Sequence, residues 1–130
     1  MDIQKILVID DDNLLRQTIC MVLEDAGYAI EEAASGPEGI EKAKTFRPDY
    51  VFCDVRLGDM DGYETLQVLK EDAETASIPV VLMTGFTTEA SRKKGEEAGA
   101  VAYLAKPFTV DKLLQLMEQL QAACALPSRS

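Results

Sequence analysis

Four short apolar runs and one weaker run alternate with five segments of helical pattern along this 130-residue chain. The runs lie at residues 6–9, 29–33, 50–53, 80–83 and 101–105. Each is short and bounded by turn-forming or charged residues, which is typical of a β-strand. Because strands that are apolar throughout must be covered on both faces, the alternation predicts an α/β fold with a parallel sheet between layers of helices.

The order of the strands follows from the handedness of the connections. Right-handed crossovers favour a doubly wound, flavodoxin-like (βα)5 arrangement, in which a five-stranded parallel sheet has the strand order 2-1-3-4-5. The second run contains Glu31 and Glu32 and is therefore expected near an edge of the sheet. We expect one domain over residues 1–125, followed by a tail or the start of a linker over residues 126–130.

Local signals mark the helices. Asp12 or Asn13 is expected to cap the first helix, and the apolar face of the third is expected to reach Ala73. The fourth helical segment, residues 87–99, has Thr87 or Thr88 as its expected cap but few apolar residues. It also has a glycine at position 95, which costs about 1 kcal/mol relative to alanine inside a helix. This segment is predicted to be the least stable helix.

Composition excludes several classes of function. The net charge of −10 argues against direct nucleic-acid binding, which needs a basic face. There is no apolar run of 18 residues and no apolar leader, so we expect a cytoplasmic protein without membrane contact. Three cysteines and no histidine do not form a zinc-binding pattern and are expected to be reduced thiols. The glycine-rich patterns of dinucleotide and P-loop sites are missing.

Polar residues follow four of the predicted strands at the point where each strand ends. They are Asp10 and Asp11 after the first, Asp54 after the third, Thr84 after the fourth and Lys106 after the fifth. Because the carboxyl ends of parallel strands meet at one edge of a sheet, these side chains are expected to lie together.

The chemistry of such a cluster points to phosphoryl transfer. Two carboxylates about 4 Å apart repel by roughly 4 kcal/mol at an effective dielectric constant near 20. A hard divalent cation such as Mg²⁺ relieves this repulsion, because it binds carboxylates, waters and phosphate oxygens. Lys106 adds a positive charge and Thr84 a hydroxyl donor, which suits the oxygens of a transferred phosphoryl group. Asp54 is the expected nucleophile, since carboxylates form aspartyl-phosphates.

The chain resembles the response-regulator receiver domains of two-component signalling, similar to chemotaxis regulators. The resemblance rests on these five positions, on the run Lys106-Pro107-Phe108 and on the topology, and it extends from residue 5 to about 121. The resemblance implies that Asp54 accepts a phosphoryl group from a phosphohistidine of a partner histidine kinase or phosphotransfer protein. It also implies Mg²⁺ held by Asp11, Asp54 and the backbone carbonyl of Arg56, with Asp10 acting through water. Thr84 and Lys106 would hold the phosphoryl oxygens.

The resemblance further implies a regulatory switch rather than an enzyme, although such a domain assists its own phosphotransfer and dephosphorylation. Thr84 would move toward the phosphate and Tyr103 would turn inward. These movements would reshape the face made by the fourth helix, fifth strand and fifth helix, which would bind a downstream protein or an output domain. A phosphorylation-linked homodimer and a cis Lys106–Pro107 bond are also expected. The low predicted stability of the fourth helix agrees with the expected movement of this face, because elements that move have low local stability.

The chain departs from the family pattern in the loops after Asp54 and after Thr84. Leu57 and Gly58 stand where many members have Met-Pro, and Gly85 replaces the more usual alanine after Thr84. Arg56 and Phe86 occupy the two positions that flank the route of the attacking water in the family. Our hypothesis is that these two side chains shield the acyl phosphate and lengthen its life.

Two alternatives remain beside the switch. One is a receiver-like interaction module that never accepts phosphate. The other is a phosphatase that forms an aspartyl-phosphate, but such an enzyme would need a carboxylate two residues after the nucleophile, where Arg56 stands. Asp59 and Asp61 are assigned to the turn and to the start of the third helix rather than to the site.

Overall fold

The computed structural model describes residues 4–58, 60–85 and 89–129, with the side chains of the last helix described up to residue 122. Five strands alternate with five helices in this part of the chain. The strands are β1 (Lys5–Ile9), β2 (Ala29–Ala33), β3 (Tyr50–Asp54), β4 (Val80–Thr84) and β5 (Ala102–Ala105). The helices are α1 (Asn13–Asp25), α2 (Gly36–Phe46), α3 (Gly62–Glu71), α4 (Glu89–Ala98) and α5 (Val110–Arg129).

The sheet has the strand order β2-β1-β3-β4-β5, and every neighbouring pair is parallel. The predicted doubly wound, flavodoxin-like α/β fold is therefore confirmed. β2, which carries the two glutamates, lies at an edge and is mostly half-buried, whereas all residues of β3 and β4 are buried. The apolar character of each run thus matches its depth in the sheet.

Alternation along the strands divides the core into two apolar clusters. Side chains such as Ile6 and Phe52 pack on one face of the sheet with α1 and α5. Their neighbours in sequence, such as Leu7 and Val51, pack on the other face with α2 and α3. Successive side chains of a strand point to opposite faces, so a run of apolar residues supplies both layers of the core.

Most helix starts lie where the capping signals place them. Asp12 caps α1 and accepts a hydrogen bond from the Leu15 amide at 3.1 Å. Asp61 caps α3 and forms a reciprocal capping box with Glu64, as its assignment to the start of the third helix requires. Asp59 and the predicted caps of α4, Thr87 and Thr88, lie outside the described residues.

Several helix and strand boundaries differ from those expected; β1, β3 and β4 are each one residue longer than predicted. α3 ends at Glu71, before Ala73, because the Asp72 carboxylate accepts the Glu74 amide at 2.9 Å and competes with the helix. β5 begins at Ala102, one residue later than predicted. The backbone of α5 stays helical over residues 126–129, so this part of the expected tail is helical; the domain division at residue 125 stays a prediction. Within the described ranges, no helix has the length and apolarity needed to cross a membrane.

Candidate functional site

Three carboxylates meet at the carboxyl edge of the sheet. Asp10 directly follows β1 and is 0% exposed, and Asp54 ends β3 and is 6% exposed. They are neighbours because β1 and β3 pair in parallel up to Ile9 and Cys53. Asp11 is exposed beside them, and one oxygen from each of the three carboxylates lies within 4.8 Å of the others. The three aspartates predicted from the strand ends therefore occupy one place.

Lys106 reaches the same place from the end of β5. Its Nζ lies 3.2 Å from Asp10 Oδ2 and 3.3 Å from Asp54 Oδ1, and its side chain is 21% exposed. The backbone positions it, because the Lys106 amide donates to the Thr84 carbonyl at 2.8 Å. The expected cis Lys106–Pro107 bond is present. One ammonium group thus bridges the two buried carboxylates.

The site carries more negative than positive charge. Among the described residues of the cluster, three carboxylates face the Lys106 ammonium, and the carboxylates of Asp10 and Asp54 are shielded from water. Burial, followed by the charge of Asp10, raises the pKa of the Asp54 carboxyl to about 6. Lys106 and the backbone amide of Arg56 act in the opposite direction on this pKa but do not cancel the increase. The cluster therefore favours a further cation.

The donor set fits Mg²⁺. All three groups offer hard carboxylate oxygens, which suit Mg²⁺ better than a soft metal, and the exposure of Asp11 gives access from solvent. The Arg56 amide lies 3.4 Å from Asp54 Oδ1, which holds the loop close to the acids. The use of the Arg56 carbonyl as a metal ligand stays a prediction. Phe86, the other half of the shielding hypothesis, lies outside the described residues.

The two predicted switch residues lie in different surroundings. Thr84 ends β4, is 2% exposed and lies beside the cluster, because β4 pairs with β3 on one side and β5 on the other. Tyr103 does not join the cluster. Its hydroxyl instead donates to the backbone carbonyl of Ser91 on α4 at 2.6 Å. The switching roles of both residues stay predictions.

Arg16 is a site residue that sequence reasoning missed. Its Nη1 donates to the backbone carbonyl of Asp10 at 2.8 Å, and its Nε lies 2.7 Å from Glu32 Oε1 on β2. Its side chain is only 11% exposed, so the contact is shielded from water. The sequence signal is weak: an arginine four residues after the Asp12 cap, on the helix face that turns toward the sheet. Arg16 holds the backbone of the buried aspartate against the edge strand.

Comparison with known proteins identifies relatives along nearly the whole chain. The family model of the response regulator receiver domain matches residues 6–118. The DNA-binding dual master transcriptional regulator RpaA of Synechocystis is 35% identical over 116 residues, which are 89% of this chain and 48% of that protein. The transcriptional regulatory protein PdtaR of Mycobacterium tuberculosis is 33% identical over 116 residues, 88% of this chain and 55% of the relative. The chain therefore spans about half the length of the curated relatives it matches.

Solved structures agree with this assignment. Chemotaxis protein CheY4 of Vibrio cholerae superposes with a TM-score of 0.87 at 31% identity, covering 91% of this chain and 98% of that one. The receiver domain of the Pseudomonas aeruginosa sensor histidine kinase PA1611 gives a TM-score of 0.82 at 26% identity, covering 91% and 97%. Its structure holds a magnesium ion coordinated in the active site cleft. The sequence match, the fold and the strand-end cluster lead to one conclusion: this chain belongs to the response regulator receiver domain family.

Proposed function

We propose that this chain is a phosphorylation-dependent signalling switch in which Asp54 accepts a phosphoryl group from a phosphohistidine. The donor is a histidine kinase or a phosphotransfer protein. One observation supports this above the others: the buried Asp54 carboxylate lies 3.3 Å from the Lys106 ammonium and within 4.8 Å of the Asp10 and Asp11 carboxylates. A carboxylate in such surroundings is held in place for attack on phosphorus.

The transfer exchanges one bond for another. A lone pair of an Asp54 oxygen forms the new O–P bond while the P–N bond of phosphohistidine breaks, and the imidazole nitrogen takes the leaving electron pair. Lys106 orients Asp54 Oδ1, and the Thr84 hydroxyl is proposed to donate to a phosphoryl oxygen. Mg²⁺, held by Asp11, Asp54 and the Arg56 carbonyl, with Asp10 through water, would supply the positive charge that neutralises the cluster and the phosphoryl oxygens.

The output is proposed to be a change in the α4-β5-α5 face. This face includes a groove lined partly by Arg92, Tyr103, Leu116 and Gln119, which a downstream protein, an output domain or a second copy of the chain would contact. RpaA, a relative, is described as DNA-binding, but this chain carries a net charge of −10 and is not proposed to bind nucleic acid. A cytoplasmic location is proposed for the same signalling role.

Phosphorylation with a small donor tests the proposal. With Mg²⁺ and acetyl phosphate, the wild-type chain is expected to gain one phosphoryl group, measured by intact-protein mass spectrometry. Asp54→Asn should gain none, because the amide has no nucleophilic oxygen anion. Asp25→Asn, a change at an exposed acid at the end of α1, is the matched control and should behave as wild type.

Removing Mg²⁺ with a chelator should suppress the reaction in the wild type. A wild-type chain that stays unmodified under all these conditions would contradict the proposal. It would favour the phosphorylation-independent interaction module instead.

Arg16→Gln is expected to weaken Mg²⁺ binding by about tenfold or more, because outer groups that orient metal ligands typically contribute 10–100-fold to affinity. The substitution removes the hydrogen bond to the Asp10 carbonyl and the ion pair to Glu32. Isothermal titration calorimetry with MgCl₂ measures the change. Arg47→Gln removes the same charge at the end of α2, where the side chain is 73% exposed, and should leave the affinity unchanged. Equal losses in the two variants would show a general charge effect and refute the positioning role of Arg16.

A further inference from the structure

Three elements of the fold meet at the hydroxyl of Tyr63, the second residue of α3. Its Oη lies 2.5 Å from the Oη of Tyr103 on β5 and 3.2 Å from the backbone carbonyl oxygen of Ser91 on α4. Tyr103 donates to the same carbonyl at 2.6 Å. Both tyrosines are half-buried, so these contacts are partly shielded from water.

The distances indicate how the two hydroxyl protons are shared. Each phenol has one proton, and the carbonyl can only accept. The contact of Tyr103 with Ser91 is the shorter one, so the Tyr103 proton goes to the carbonyl and the Tyr63 proton goes to the Tyr103 oxygen. Burial, followed by the hydrogen bond with Tyr103, raises the pKa of Tyr63, which therefore keeps its proton. In such a chain, each hydrogen bond polarises and strengthens the next.

The same two rings hold α4 against the domain. Gly95 is the buried residue of α4, and a Cβ there would lie 3.1 Å from Tyr103 Cε1 and 3.2 Å from Leu82 Cδ1. The missing side chain lets the ring of Tyr103 pack directly on the helix backbone. Lys94 directly precedes Gly95, and its ammonium lies 4.4 Å from the ring centre of Tyr63, a cation–π contact. A helix with little apolar surface thus depends on the tyrosine pair for its attachment.

Tyr63 is also close in the chain to the phosphoacceptor loop. It follows Gly62, whose amide donates to the Val55 carbonyl at 2.8 Å, and Val55 follows Asp54. A Cβ on Gly62 would lie 2.4 Å from the Asp54 carbonyl oxygen, so the first turn of α3 rests on the backbone of Asp54 itself. Tyr63 therefore connects the loop after Asp54 to α4 and β5 through one turn of helix.

We propose that Tyr63 is a positioning residue that holds Tyr103 in its observed position and attaches α4 to α3. This position, called inward below, has the Tyr103 ring against Gly95 and its hydroxyl on the Ser91 carbonyl. Tyr63 then sets the balance between the inward and outward positions of Tyr103 on the α4-β5-α5 face. The regulatory meaning of this balance rests on the proposed function. The equilibrium between the inward and outward positions of Tyr103 exists in the unphosphorylated chain and can be measured without a phosphodonor.

Tyrosine NMR tests the proposal in the unphosphorylated full chain. The chain has four tyrosines, so ring ¹³C-labelled tyrosine gives a small set of signals that Tyr→Phe variants assign. In Tyr63→Phe, the Tyr103 signals should move toward those of an exposed tyrosine. The ratio of inward to outward Tyr103 should fall about fivefold, the equivalent of one hydrogen bond of about 1 kcal/mol. Phenylalanine keeps the ring and its packing, so the variant isolates the hydroxyl.

Tyr28→Phe is the matched control. It also removes one phenol hydroxyl, which accepts a hydrogen bond from Gln121 on α5, away from Tyr103. The Tyr103 signals should not change in this variant. A second measurement is amide hydrogen exchange: protection of α4 should fall about fivefold in Tyr63→Phe and stay unchanged in Tyr28→Phe.

The proposal is overturned if Tyr63→Phe leaves both the Tyr103 signals and the exchange of α4 at their wild-type values. It is also overturned if Tyr28→Phe changes them equally, because the effect would then be a general loss of stability. Failure of Asp54 to accept phosphate is detected separately with acetyl phosphate. In that case the equilibrium between the two Tyr103 positions would have no regulatory role, but the NMR and hydrogen-exchange results would still test the structural role of Tyr63.

Discussion

Asp54→Asn should yield a protein that takes up no phosphoryl group and yet is more stable than the wild type. The Asp54 carboxylate is 6% exposed and shares its site with the fully buried Asp10. Its pKa is raised from 3.8 to about 6, and each pKa unit corresponds to about 1.4 kcal/mol. Keeping this group ionised at pH 7.5 therefore costs about 3 kcal/mol. The neutral amide avoids that cost, and the attraction of Lys106 is already included in the raised pKa, so the expected net gain in the free energy of unfolding is about 1–3 kcal/mol.

The pH dependence of this gain has a definite sign. Because the folded-state pKa lies above the unfolded one, the folded protein binds the Asp54 proton more tightly. The stability cost is absent below about pH 3.8, grows as the pH rises to about 6, and is fully present above that value. The Asn variant should therefore equal the wild type near pH 4 and exceed it at pH 7.5.

Urea unfolding followed by circular dichroism, with a chelator present, measures the difference at both pH values. Adding Mg²⁺ should stabilise the wild type more than the variant and so reduce the gap, because binding to the folded state raises stability. Glu41→Gln neutralises an exposed acid on α2 and is the control, with an expected change within about 0.5 kcal/mol. An Asn variant that is less stable than the wild type at pH 7.5 would refute the electrostatic account of the site.

Gly62→Ala should have the largest cost to stability, about 3 kcal/mol. A Cβ at this position would lie 2.4 Å from the Asp54 carbonyl oxygen and 2.8 Å from Val55 Cα. Both atoms belong to the backbone of the sheet edge, so they cannot move aside as the end of a flexible side chain can. Overpacking against such atoms typically costs 1–3 kcal/mol or more. The variant should also slow phosphorylation, because relief of the clash displaces the backbone of Asp54.

Gly58→Ala is the matched control in the same loop. Among the described residues other than its chain neighbours, no atom lies within 4 Å of a Cβ at Gly58, and the substitution should change the free energy of unfolding by less than about 1 kcal/mol. Chemical denaturation measures both variants, and the rate of acetyl phosphate labelling measures the second effect. If Gly62→Ala costs no more than Gly58→Ala, the close approach of α3 to Asp54 is not a structural requirement.

The gathering of the site residues was determined by the sequence alone. Apolar runs interrupted by helices specify parallel strands, and parallel strands of similar length end at one edge. Residues that follow the strands, such as Asp10, Asp54 and Lys106, then meet whatever their separation in the chain, and the structure places the Lys106 ammonium between the two carboxylates. The assignment of Asp61 to a helix cap was equally local, since capping depends on residues three positions apart.

Only the tertiary structure decided how the site is attached to its surroundings. Gly95 is a defect when α4 is considered alone, but in the fold it is the position where the Tyr103 ring rests on the helix. The hydrogen bonds of Arg16 with the Asp10 carbonyl and of Tyr63 with Tyr103 likewise have no sequence signature. Such contacts depend on side-chain rotamers and on the spacing between packed elements, which no local pattern of residue types encodes.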